Sequence, residues 1–325
     1  MFLLVLETFQ TSNNIRNIHF FLFRYALLPA IIFAACDKKD QVADEKEFQK
    51  LMSNAFAACR SEDFALADEI CHDALQLLKK FNDGGVWPQR KVLLATVYLY
   101  DFMGKISLSV GDYERAEKLF KECMKGCIQS GRPQDDDAII ELSMKLAMIY
   151  ALQKKHDDAD LGYNFCIDTQ RKKLENTKDM SSEAVKNGHA LLGMCLHSYG
   201  KYLIQNKKYN EAEEKIEESV ALAKKYMGDN HPQVPVIYCD LANAAAMQGK
   251  YDYSLECLNK GRQLAKPDSV DMVWLLINQG PVEAKKNDIR SAKISCNKAK
   301  EIAQKMKHKT LIEASEECFK RINSV

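Results

Sequence analysis

Helix breakers are scarce in this 325-residue chain, which holds only 7 prolines and 14 glycines. That excludes collagen-like and proline/glycine-rich low-complexity architectures. Charge of one sign is lacking as well. Lys plus Arg number 46 and Asp plus Glu 45, a net charge of +1, so the bulk balance gives no electrostatic reason to bind nucleic acid or an anionic bilayer. The short motifs of chemistry are absent too: there is no G-x-G-x-x-G, Walker loop, G-x-S-x-G or H-E-x-x-H. No catalytic, cofactor-binding or metal-ligating residue is assigned, and a repeat-bearing enzyme has no motif to rest on. No C-x-x-C occurs among the eleven cysteines, whose number is odd. Their spacing predicts reduced thiols acting as small hydrophobes, and hence a reducing compartment.

A rule of spacing is present. A small residue is followed twelve positions on by another, and four further on by a bulky or sulfur-bearing one. The rule recurs six times. Its first members are Ala55, Gly104, Ala147, Gly200, Ala242 and Gly280; the second are Ala67, Ala116, Ala159, Ala212, Ser254 and Ala292; the third are Cys71, Phe120, Tyr163, Ile216, Leu258 and Cys296. Spacing that is rigid within a unit and elastic between units marks a helix-hairpin repeat. The expected fold class is all-α: a right-handed α-solenoid of about six tetratricopeptide-type hairpins and a C-terminal capping helix. The units are placed at about 47–80, 90–128, 137–175, 182–226, 234–266 and 270–306, with the cap at 310–322, so that 47–325 forms one repeat domain. The second small residue marks where two helices cross closely, and the third is expected to insert between hairpins. Pro281 predicts a kinked or short first helix in unit six. Asp135, Asp136 and Asp137 precede an apolar periodic run, which points to helix capping rather than a metal site.

Residues 1–36 differ in kind. Glu7 is their only acid, Arg16 and Arg24 their only formal cations, and 20–36 is apolar except for Arg24. Three readings stay open: a mitochondrial presequence with a short membrane anchor, a secretory or lipoprotein-type signal ending at Cys36, and a misassigned or disordered start. Residues 37–46 read as a charged connector.

Other constellations have bland readings. Cys123 and Cys127 share a helix face and read as core filling. Cys195 and His197 point to different faces, so they form no nucleophile–base pair. His231-Pro232 after Gly228-Asp229-Asn230 reads as a helix stop and restart. The informative surface is the face lined by the first helix of each hairpin. Counted from each small residue, it offers a candidate protein-binding groove of Lys145, Met148, His197, Ser198, Lys201, Asp240, Asn243, Met247, Trp274 and Asn278, with Ile277 beside them. Trp274 is either an anchor of hot-spot type or packed under the C-terminal helix.

The repeat rule matches the tetratricopeptide motif, and Leu146-Ala147-Met148-Ile149-Tyr150 with Ala159 and Tyr163 is its best copy. Two stretches go further. Asp136 through Ala147, continuing to Tyr150-Ala151 and Gly162-Tyr163-Asn164-Phe165-Cys166-Ile167, is one; Ala190-Leu191-Leu192-Gly193-Met194-Cys195-Leu196 with Tyr202-Leu203 is the other. Together they resemble the tetratricopeptide repeat protein 19 family over roughly residues 46–320. The resemblance implies a non-enzymatic scaffold of the mitochondrial inner membrane, held there by its N-terminal segment. Its implied partners are respiratory complex III and the Rieske iron–sulfur subunit, whose proteolytic fragments family members help to clear. It implies no cofactor, small-molecule substrate or nucleic acid. From another class, a soluble kinesin-light-chain-like cargo adaptor fits the link Gly228-Asp229-Asn230-His231-Pro232-Gln233-Val234.

Overall fold

Six turns of one geometry account for the invariant gap of twelve. The computed structural model describes residues 42–324, which form thirteen α-helices and no strand among the described residues. The segment 1–36 and the first part of the charged connector lie outside the described residues. In order the helices are α1 (Val42–Arg60), α2 (Phe64–Asp83), α3 (Gln89–Ser109), α4 (Tyr113–Gln129), α5 (Asp137–Leu152), α6 (His156–Glu175), α7 (Ser182–Gln205), α8 (Tyr209–Leu222), α9 (Val234–Met247), α10 (Tyr251–Leu264), α11 (Val270–Lys285), α12 (Ile289–Lys305) and α13 (Lys309–Asn323). In every hairpin the residue seven places after the first small residue has positive φ: Glu62, Gly111, Lys154, Lys207, Gly249 and Asn287. The next residue then turns its N–H back onto the carbonyl five positions earlier, as in Asp63 N to Ala58 O at 2.9 Å and Asp288 N to Glu283 O at 3.0 Å. This left-handed stop satisfies the last carbonyls of the first helix. In three hairpins the residue after the stop is an aspartate that caps the second helix: Asp63, Asp112 and Asp288 accept from the backbone amides of Leu66, Arg115 and Ser291.

The chain divides into two compact units, one ending at Thr169 and one beginning at Gln170, within α6. In the first, α1 to α5 pack in sequence order, each against the next. In the second, α7 to α12 do the same, α9 also meets α7 and α11, and α13 closes on both α11 and α12. Each unit is thus a stack of antiparallel hairpins. The core of the first gathers Phe48, Phe81 and Trp87 at its start, then Phe102 and Ile106, and further on Phe120, Leu142 and Ile149.

Packing explains the small residues. A Cβ built on Gly104 would lie 2.8 Å from the Phe120 ring, and one on Gly280 would lie 2.7 Å from Cys296 Sγ. The bulky third residue therefore lies on the first small residue of its own hairpin, which corrects the expected insertion between hairpins. The helices approach too closely for any larger neighbour. A second crossing repeats higher up. Cys123 Sγ bonds Val97 O at 3.3 Å, Cys166 Sγ bonds Ile140 O at 3.5 Å, and Ser219 Oγ bonds Gly193 O at 2.7 Å, each across 26 residues. Small side chains with one donor fit there, and Gly261, whose built Cβ would lie 3.3 Å from Pro235 O, fills the equivalent place in the fifth hairpin.

Three expectations need correction. Helix α1 begins at Val42, inside the stretch read as connector. No residue there breaks a helix, and Glu45 is held by Lys91 at 2.8 Å, so the described end of that stretch is helix and not connector. Helix α11 runs through Pro281 without ending. The carbonyl that Pro281 leaves without its intrahelical donor is Ile277 O, and Cys318 Sγ lies 3.6 Å from it. Finally, the cysteines are not all thiols. Cys296 and Cys318 form a disulfide, Cα to Cα 5.8 Å, tying α12 to the capping helix α13. The other cysteines among the described residues are free. Beyond these, Asp136 Oδ1 accepts from Ala138 N at 2.9 Å, so that aspartate caps α5, and Ala223–Met227 forms a π-helical turn at the end of α8.

A candidate protein-binding face on the first helices

Within each unit, polar residues at fixed places on the first helices bond from one hairpin to another. In the first unit, Asp101 stands three places before Gly104, and Lys145 two before Ala147. Lys145 Nζ lies 2.6 Å from Asp101 Oδ1 and 2.7 Å from Glu141 Oε1, while Lys105 Nζ lies 2.6 Å from Asp101 Oδ2. All four side chains are buried, Lys145 at 2% exposure and Asp101 at 1%. Burial alone would raise the Asp101 carboxyl, but Lys105 and Lys145 override it and hold the group down at about 2. Burial alone would lower Lys145, yet Asp101 and Glu141 drive it upward. Both charges are thus fixed by each other. At the neighbouring step of the stack the same face is aromatic, with the Phe56 and Phe102 rings 4.5 Å apart.

The second unit repeats the register with other chemistry. His197, three before Gly200, contacts Asp240, two before Ala242, through Nε2 to Oδ2 at 2.8 Å. Lys201 Nζ stands 4.0 Å from the same carboxylate. Burial would raise Asp240, but Lys201 and His197 bring it below the ordinary value. One hairpin on, Asn278 Nδ2 donates to Cys239 Sγ at 3.0 Å. These are again the positions three and two before their small residues.

Little here suits catalysis. Burial pushes the Cys239 and Cys59 thiols up to about 12 and Cys257 up to about 11, so these cysteines stay protonated and unreactive at neutral pH. His197 is 1% exposed, shut away from any substrate. No cluster of three or more His, Cys, Asp or Glu side chains able to hold a metal occurs among the described residues.

Known proteins resemble this chain in sequence and fold. The tetratricopeptide repeat profile matches residues 191–267. Human "Tetratricopeptide repeat protein 19, mitochondrial" is 35% identical over 238 residues, covering 72% of this chain and 60% of that protein. The chain belongs to the tetratricopeptide repeat protein 19 family. A relative from Drosophila melanogaster, "Tetratricopeptide repeat protein 19 homolog, mitochondrial", is 22% identical over 298 residues, 90% of this chain and 76% of that one. This family member spans about 60% of the length of the mammalian relatives it matches. Among solved structures, BtubC (BKLC) from P. vanneervenii aligns with a TM-score of 0.54 and 18% identity, over 80% of this chain and 92% of that one. The apo quorum sensor NprR from B. thuringiensis aligns with a TM-score of 0.55 and 12% identity, over 87% and 70%. Such likeness shows the shared repeat fold. The relatives' names support a mitochondrial location, and the repeat class is one that binds proteins.

Within that family fold, the groove residues expected from sequence fall into two groups. Lys145, His197, Lys201, Asp240 and Asn278 are engaged in contacts between hairpins, as described above. Met148, Ser198, Asn243, Met247 and Trp274 are half-buried, and Ile277 is buried. Sequence reasoning missed Asp101, Lys105, Glu141 and Cys239. The signal that finds them is their place in the repeat register, not their type.

Proposed function

We propose that the chain is a non-enzymatic scaffold of the mitochondrial inner membrane that docks on respiratory complex III. There it assists assembly and upkeep by promoting clearance of Rieske iron–sulfur subunit fragments. The observation that carries this reading is the 35% identity to the human family member over 238 residues, which takes in most of the hairpin stack. The inner face supports a binding role. It offers an amide at Asn243 and apolar contact at Met247 and Trp274 of the second unit, side chains suited to holding polypeptide. A scaffold of this kind works by rigidity, and within each unit the polar contacts between hairpins contribute to it.

The test is to tag the full chain in its own cells, solubilise mitochondria gently, and separate intact respiratory complexes by native electrophoresis. The tagged chain should co-migrate with complex III, and its loss should leave Rieske fragments bound to that complex. Recovery of the tagged chain in the cytosol with motor proteins would overturn the proposal in favour of cargo adaptation. So would a complex III free of fragments after the chain is deleted.

A further inference from the structure

The near-zero net charge conceals a strong local imbalance. Residues 285–309 hold nine of the 46 basic residues and only two of the 45 acids, Asp288 and Glu301. Helix α12 lies within this stretch. Its inward face is small and apolar, with Ala292, Cys296, Ala299 and Ile302 buried. Its outward face carries Arg290, Lys293, Ile294, Asn297 and Lys298 at helical spacing, all exposed. Several neighbouring cations are neutralised: Lys300 by Glu316 at 3.1 Å, Lys305 by Asp268 at 2.6 Å, and Lys286 by Asp252. Asp288, the acid next to Arg290, is occupied in capping the helix through Ser291 N at 3.0 Å. The contrast within the same unit is sharp, because α8 is exposed through acids at Glu211, Glu214 and Glu217.

Among these cations sits an apolar side chain with no shelter. Ile294 is 58% exposed, with Lys293 beside it and Arg290 and Lys298 one turn to either side; Ile289, at the start of the helix, is 39% exposed. A nucleic acid would take the cations and leave the isoleucines in water. A bilayer surface takes both, since alkyl side chains enter the headgroup–acyl boundary while cations meet anionic headgroups.

We propose that α12 is a peripheral membrane contact, in which Arg290, Lys293 and Lys298 bind anionic lipid headgroups and Ile294 seats in the interfacial layer. The contact is weak and reversible. Each basic residue near an anionic surface adds roughly fivefold to partition, from about 1 kcal/mol apiece. It is independent of which protein the inner face binds.

The test compares partition of the full chain onto neutral phosphatidylcholine vesicles and onto vesicles with added phosphatidylglycerol. Apolar binding through residues 20–36 contributes to both, so the anionic increment isolates the charged contact. The variant Arg290→Glu/Lys293→Glu/Lys298→Glu should lose more than tenfold of that increment and keep its partition onto neutral vesicles. Ile294→Asp should also weaken anionic binding. A charge-matched control, Lys79→Glu/Lys80→Glu/Lys178→Glu, should keep most of the increment. Equal loss in the control, an increment that survives in the α12 variant, or equal partition of the parent chain onto both vesicles would each overturn the proposal. So would capture of an acidic protein segment by the α12 face with no vesicle binding.

Discussion

Lys145 Nζ and Asp101 Oδ1 meet at 2.6 Å, although 44 residues separate them, and this ion pair joins the first helices of the second and third hairpins. Both groups are almost wholly buried, and each accounts for the other's charge. Taking two ions out of water is costly, so the pair contributes by matching rather than by raw attraction. The same two register positions are used by His197 with Asp240 and by Cys239 with Asn278. Within each unit, the hairpins these pairs join, second to third, fourth to fifth and fifth to sixth, are therefore held in register by whichever complementary pair occupies those sites.

Removing one partner leaves the other charge stranded. Asp101→Ala strands Lys105 in the core, leaves Lys145 with Glu141 alone, and should cost about 3–5 kcal/mol. Replacing all four members, Asp101→Leu, Lys105→Met, Glu141→Leu and Lys145→Met, should cost clearly less, because no lone charge of the network remains. Urea unfolding of the two variants against the parent measures the difference. Equal losses would mean that the ions do not depend on one another.

The same network fixes an acid response. The Asp101 carboxyl stands at about 2 in the folded chain against an ordinary 3.8. A carboxyl lowered on folding stabilises the fold fully above its unfolded value, and that contribution disappears as pH falls through the folded one. Stability should thus drop between about pH 4 and pH 2. Asp101→Asn should flatten that part of the pH dependence, as read from thermal unfolding in a buffer series. An unchanged slope in the variant would assign the acid loss to other groups.

How much of this was legible follows from the scale of each interaction. The twelve-residue gap was readable because one turn geometry sets it, and two of its six left-handed residues are the glycines Gly111 and Gly249. Glu62, Lys154, Lys207 and Asn287 fill the same position with side chains that announce nothing. The Asp101–Lys145 pair was hidden for a related reason. Each residue lies on an apolar helix with a polar neighbour one turn away, Lys105 and Glu141, which reads equally well as a surface stripe. Only their offsets from Gly104 and Ala147 show that they face one another. His197, Asp240 and Asn278 were expected to line a groove, and the structure turns each toward a neighbouring hairpin. The disulfide was missed because Cys296 and Cys318, 22 residues apart, belong to separate helices whose docking no spacing rule gives.

Helix crossings make a sharper contrast between two glycines. A methyl on Gly104 would sit 2.8 Å from the buried Phe120 ring, whereas one on Gly193 would have its nearest neighbour, Leu222 Cβ, at 3.6 Å, an ordinary contact. Gly104→Ala should destabilise by about 1–3 kcal/mol through overpacking. Gly193→Ala should be neutral or stabilise by up to roughly 1 kcal/mol, since alanine favours the helix. Ala212→Leu, at another crossing, should resemble the first. If both glycine variants melt alike, the crossings are looser than the packing indicates.

The last helix gives a prediction that reducing agents can test. Cys296–Cys318 fastens α13 over α12 and Gly280, so it constrains the capping end of the second unit. Closing a loop of this size stabilises by roughly 3 kcal/mol in the chain-entropy view. Breaking it by exchange with a dithiol gives two thiols on the chain and oxidises the dithiol. The freed Cys318 thiol then carries a proton toward Ile277 O, 3.6 Å away, the carbonyl that Pro281 leaves without its intrahelical donor. That new bond offsets part of the lost constraint, so reduction should loosen the cap without unfolding the unit. Hydrogen exchange should show faster exchange confined to α13 and the end of α12 on adding dithiothreitol, with α7 to α10 unchanged. Cys318→Ser should show the loosened pattern with or without the reductant. Free thiols at both positions in protein purified without reductant would remove the premise, and exchange accelerated through the whole second unit would show that the cap is an integral part of its core.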